Sequence, residues 1–126
     1  MSNLKLNDLL PGNVKFFPAA VDDFLSLDKG RQIKVIKALQ KISTAPNHFG
    51  KPLENQIGRP LSSFRSIYVD KKAIRILWKV ANSGEIEVAI VAGIAEREGF
   101  LAYELAAKRL QDMETFIYKV LNELKE

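Results

Sequence analysis

The side chains able to do chemistry in this chain are few in kind. Cysteine is absent and histidine occurs once, as His48. That leaves no thiol nucleophile and no zinc site built on thiolates or on several imidazoles. His48 sits in a polar stretch beside Asn47 and Phe49, where a surface imidazole is the ordinary reading. What remains is arginine, lysine and tyrosine, and the cations are unevenly spread. Residues 51 to 79 hold seven Lys/Arg against two acids, whereas residues 80 to 126 hold five against nine. A short stretch with that excess suits a polyanion. Arginine suits phosphate in particular, because its planar fork donates two hydrogen bonds and stays ionised at any working pH. Arg75, within a predicted strand, is one candidate; its ordinary alternative is an ion pair to a carboxylate such as Glu87.

The elements that must position these residues can be read from pattern. With 126 residues, 47% of them hydrophobic, the chain is expected to form one globular domain over 1–126 that buries a core without disulfides or metal. Residues 1–13 form a polar lead, expected to be flexible. Val14-Lys15-Phe16-Phe17 predicts a short strand stopped by Pro18. Ala20, Phe24 and Leu27 fall at helical spacing over 19–27, with Gly30 as the terminator, and Asp28 is placed to cap a second helix. There Ile33, Ile36, Leu39 and Ile42 make an apolar stripe. Lys34, Lys37 and Lys41 make a basic one, either solvated or set against phosphates. A loop follows through Pro60. Three strands come next, over 64–69, 73–80 and 86–94, joined by the polar turns Asp70-Lys71-Lys72 and Asn82-Ser83-Gly84, so the sheet is expected to be antiparallel.

In the second of these strands Ile74, Ile76, Trp78 and Val80 alternate with Arg75, Leu77 and Lys79. Trp78 is therefore expected inside. The third strand is apolar on both faces and is expected to be central. A helix over about 102–125 carries Met113, Phe116, Ile117, Val120 and Leu124 as a stripe. Its last part, 111–126, either packs on the domain's own core or meets a partner. The fold class is thus α+β: an N-terminal helical hairpin packed on a small antiparallel sheet, with a long C-terminal helix. No apolar run is long enough for a signal peptide or for the roughly 20 residues of a membrane span, which points to a cytoplasmic protein.

The run Ser66-Ile67-Tyr68-Val69-Asp70-Lys71-Lys72-Ala73-Ile74-Arg75-Ile76-Leu77-Trp78-Lys79-Val80 is followed by an apolar strand, Arg97-Glu98, and Tyr103-Glu104-Leu105-Ala106-Ala107-Lys108-Arg109-Leu110. In this order and spacing the chain resembles the RelE/ParE toxins of type II toxin–antitoxin systems, over roughly Phe16 to Leu110, with Lys51-Pro52-Leu53 as a further anchor. The resemblance implies a basic toxin that needs no metal or other cofactor. Such a toxin either cleaves messenger RNA in the ribosomal A site, as RelE-like members do, or poisons DNA gyrase without catalysis, as ParE-like members do; the further alternative is an inactive family member that only binds an antitoxin. It also implies an antitoxin protein as partner, with a homodimer or a toxin–antitoxin heterotetramer as the assembly.

For the nuclease, a ribose 2′-hydroxyl attacks the neighbouring phosphorus. The site must then remove a proton, hold the charge growing on the phosphoryl oxygens and supply a proton to the leaving 5′-oxygen. Carried over by position, Arg75 is the mid-strand phosphate ligand, Arg97 the arginine after the last strand, and Tyr103 the tyrosine opening the C-terminal helix. One departure stands out: Ser66 and Tyr68 occupy positions where RelE has lysines. Lys51, Arg65, Lys71 or Lys72 are candidates to replace them from nearby, and Tyr68 is a candidate to stack on a base.

Overall fold

The computed structural model describes residues 9–52, 64–83, 86–96 and 101–124. Among these lie five strands and three helices: β1 (Val14–Phe16), α1 (Pro18–Leu25), α2 (Lys29–Ile42), β2 (Lys51–Pro52), β3 (Phe64–Val69), β4 (Ile74–Ser83), β5 (Ile86–Glu96) and α3 (Leu101–Leu124). The strands form one sheet in the order β1-β5-β4-β3-β2. The α+β class holds, but its layout needs two corrections. The described architecture opens with β1 rather than with the helical hairpin, and β1 lies parallel to β5, with Val14 opposite Ala89 and Phe16 opposite Val91. The sheet is therefore mixed. Short turns report only the pairing of consecutive strands, and β1 and β5 are separated by most of the domain. A further strand, β2, forms inside the segment expected to be loop, pairing Lys51 with Ser66.

Local chemistry sets the helix ends. Pro18 occupies the first turn of α1, where its missing N–H costs nothing. The helix stops at Leu25, earlier than Gly30 suggested, because Asp28 accepts from the Arg31 backbone N–H at 2.8 Å and starts α2 there. Gly30 thus belongs to the first turn of α2. The buried face of α2 is Val35, Ile36, Leu39 and Ile42, while Ile33 is 55% exposed, so the apolar stripe is rotated toward Val35. In α3, Met113, Ile117 and Val120 are buried, and Phe116 meets the Phe17 ring edge-on at 5.7 Å. Its C-terminal half therefore covers the domain's own core.

The interior strand β5 is not uniform. Leu77 pairs with Gly93 and Trp78 with Val91, which leaves Ala92 as one extra residue in β5. Two partly buried side chains serve the backbone groups disturbed there. Asp23 of α1 accepts from the Ile94 N–H at 3.1 Å, and Arg109 of α3 donates to the Ala92 carbonyl at 2.8 Å. The two side chains also meet each other at 2.8 Å. Gly93 lets α3 approach, since a Cβ at that position would stand 2.6 Å from Leu105 Cδ2. Regular strand alternation, which would put Ile86, Val88, Ile90, Ala92 and Ile94 on one face, is broken at this bulge. Trp78 is fully buried as expected, its indole N–H donating to the Pro46 carbonyl at 3.0 Å.

Replacing Arg109 by Met leaves the Asp23 carboxylate and the Ala92 carbonyl short of a donor in a largely water-excluded place. Arg109→Met is expected to cost about 2 kcal/mol, read as a lower urea midpoint with unchanged slope. An unchanged midpoint would show that the pair holds nothing.

Candidate nucleic-acid interface

Strand register decides which side chains share a face, because partners across a ladder point the same way and neighbours along a strand point oppositely. One face carries Val14, Phe16, Ile76, Trp78, Val91 and Ile94, and it receives the α1–α2 hairpin. Phe16 meets Phe24 of α1 there edge-on at 5.9 Å. The other face runs in rows: Tyr68–Arg75–Ala95, then Lys51–Ser66–Leu77–Gly93, then Phe64–Lys79–Ile90–Lys15. Leu105 and Arg109 of α3 lie against this face at Gly93.

Charge is sorted between the faces. Lys15, Lys51, Arg75 and Lys79 lie on the α3 side, whereas both carboxylates of the strands, Glu87 and Glu96, lie on the hairpin side. Glu87 accepts from the Asn47 N–H at 3.3 Å, and Glu96 stands 3.7 Å from Arg31 of α2. Arg75 and Glu87 are thus on opposite faces and far apart along the sheet. The ion pair between them that the sequence allowed is not made.

Arg75 is held by the two residues standing where lysines were expected. Its Nε donates to Ser66 Oγ at 3.1 Å, and its guanidinium carbon lies 5.0 Å from the centroid of the Tyr68 ring, directly across the ladder. Ser66 is buried, while Tyr68 is 40% exposed. A cation and an aromatic face are thereby presented together at the surface, an arrangement that fits a phosphate and a stacked base. Lys79 Nζ lies 5.1 Å from the centroid of the buried Phe64 ring. Desolvation pulls the Lys79 pKa below the ordinary lysine value, and the charge of Glu114 on α3 acts in the opposite direction.

The remaining candidates are scattered. Lys51 is exposed beside Ser66 on the Arg75 face. Arg65 is on the opposite face, with Nε and Nη2 donating to the Phe49 and Gly50 carbonyls at 2.8 and 3.2 Å. It shares no surface with Arg75. Lys71 and Lys72 are exposed in the β3–β4 turn, which the sequence located correctly without indicating its handedness. Asp70, Lys71 and Lys72 have φ of 56°, 56° and 71°, a left-handed run without glycine that costs on the order of 1 kcal/mol per residue. The turn is tied to α2 through Asp70, whose carboxylate meets Lys34 at 2.6 Å and Arg31 at 2.8 Å. Lys34 is therefore engaged, whereas Lys37 and Lys41 are exposed on α2. His48 is exposed, and Tyr103 stands in the first turn of α3. Arg97 lies outside the described residues. Among the described residues no three His, Asp or Glu side chains converge as a metal site, and no helix is long and apolar enough to cross a membrane.

Hydrogen bonds from Lys34 and then Arg31 hold the Asp70 carboxyl below its ordinary pKa. The stability this contributes is present above about pH 4 and is lost as pH falls through the lowered folded-state pKa. Asp70→Asn is thus expected to lower the melting temperature at pH 7, with the gap to wild type closing as pH falls below 4. A gap of constant size across that range would contradict the ion pairs.

Among solved structures, the isolated E. coli RelE toxin matches with 18% identity and a TM-score of 0.55 over 77% of this chain and 96% of RelE. The RelBE2 toxin–antitoxin complex from Mycobacterium tuberculosis matches with 22% identity and a TM-score of 0.56, over 70% of this chain and 100% of the matched one. A YoeB/ParE toxin from Agrobacterium tumefaciens matches with 14% identity and a TM-score of 0.55, over 68% and 99%. No protein-family model and no curated protein matches the chain. The protein has the fold of the RelE/ParE toxins.

Proposed function

We infer that this protein is the toxin of a toxin–antitoxin pair and acts in the cytoplasm as a metal-independent, ribosome-dependent endonuclease of messenger RNA. The observation that carries the reading is the charge-sorted sheet face, with Arg75 oriented between Ser66 and Tyr68. In the reaction, a ribose 2′-oxygen bonds to the adjacent phosphorus and the bond to the 5′-oxygen breaks, leaving a 2′,3′-cyclic phosphate and a 5′-hydroxyl. Arg75 holds the phosphoryl oxygens as they gain charge, and Arg97 adds a second cation. Tyr68 stacks on a neighbouring base and Tyr103 assists proton transfer, while Lys51, Lys71 and Lys72 steer the RNA backbone. Arg65 is left to the fold. The cognate antitoxin masks the basic face with a segment of complementary charge.

A second reading has an observation of its own. Ser66 and Tyr68 stand where proton-accepting lysines were expected, and both are occupied with Arg75. A non-catalytic member that binds a target such as gyrase would need no base there.

Controlled expression in bacteria separates the two. Growth arrest with new, frame-dependent 5′ ends within translated messages, reduced tenfold or more in Arg75→Ala, is the expected result. Arrest with intact messages and a DNA-damage response would favour the gyrase reading.

A further inference from the structure

Lys79 is placed by none of the roles above, yet it shares the face and the strand of Arg75. Four residues separate them, a span of about 13 Å along β4. That is too far for both cations to hold one phosphate. Lys79 is partly exposed, its Nζ set over the Phe64 ring, with Lys15 in the same row two strands away.

We propose that Lys79 contacts a second phosphate of the RNA strand bound at Arg75, so that the strand runs along β4. The inference rests on the RNA-binding part of the reading above. RNA is favoured over an acidic protein segment because an exposed aromatic, Tyr68, lies beside Arg75 at one end of the track, which a stacked base uses and a carboxylate chain does not.

The test is binding of a fluorescent 2′-O-methyl hexanucleotide, which cannot be cleaved, to the full chain at several KCl concentrations. Lys79→Gln is expected to weaken binding and to reduce the slope of log K against log salt by about 0.7, the share of one phosphate on a single strand. Lys79→Arg retains that slope, which separates charge from packing. Unchanged affinity and slope in Lys79→Gln, with Arg75→Ala still weakening binding, would remove Lys79 from the track and leave the proposed function standing. No binding by wild type would overturn the proposal, while frame-dependent message cleavage in cells decides separately whether the proposed function stands. Loss of oligoglutamate binding in Lys79→Gln with RNA binding intact would overturn the proposal in favour of an acidic protein partner.

Discussion

One extra residue in β5 decides how charge is laid out on this molecule. Without the bulge at Ala92, the alternation of β5 would run unbroken from Glu96 to Ile86, and Glu87 would fall on the face of Arg75 and Lys79. With it, both strand carboxylates turn toward the hairpin. Glu87 and Glu96 find partners there in the Asn47 N–H and Arg31. The bulge is fixed by Asp23 and Arg109, which satisfy the Ile94 N–H and the Ala92 carbonyl and join α1 to α3 across the strand. Packing and electrostatics thus share one device. The contact that seats α3 on the sheet also keeps the cationic face free of strand carboxylates.

The centre of that face is built differently from what a lysine-based site would require. Ser66 and Tyr68 do not supply charge; they orient it, one by accepting from Nε and the other by lying beneath the guanidinium. An arginine fixed on two sides loses little conformational freedom when it meets a phosphate, which favours binding. The strained turn before β4 is held to α2 by Asp70, so the start of the Arg75 strand is anchored at the same place where Lys71 and Lys72 emerge.

Much of this was legible in residue order. The polar turn at 70–72, the parity that puts Trp78 inward and Arg75 with Lys79 on the other face, and the Asp28 cap all follow from local rules of spacing and hydrogen bonding. What was not legible is non-local. The parallel partnership of β1 with β5 leaves no mark on either segment, so the placement of Lys15 in the row of Lys79 could not be read. The bulge is silent because β5 is apolar on both sides, and slipping its alternation by one residue exchanges Val and Ala for Ile and Ala. Arg65 resembled Arg75 in type and neighbourhood, but an odd number of ladder positions separates their registers, and the two diverge to opposite faces. The rotated stripe of α2 has the same origin: Val35 and Ile33 are equal by hydropathy, and only the sheet beneath selects between them.

Single-stranded RNA is expected on the α3-side sheet face rather than on the basic helix α2. Lysine side-chain resonances report this directly, because the relevant lysines are divided between the two surfaces. On titration with a 2′-O-methyl oligonucleotide, Lys15, Lys51 and Lys79 are expected to shift while Lys37 and Lys41 stay in place. Shifts confined to Lys37 and Lys41 would put the nucleic acid on the wrong side of the sheet and contradict the account.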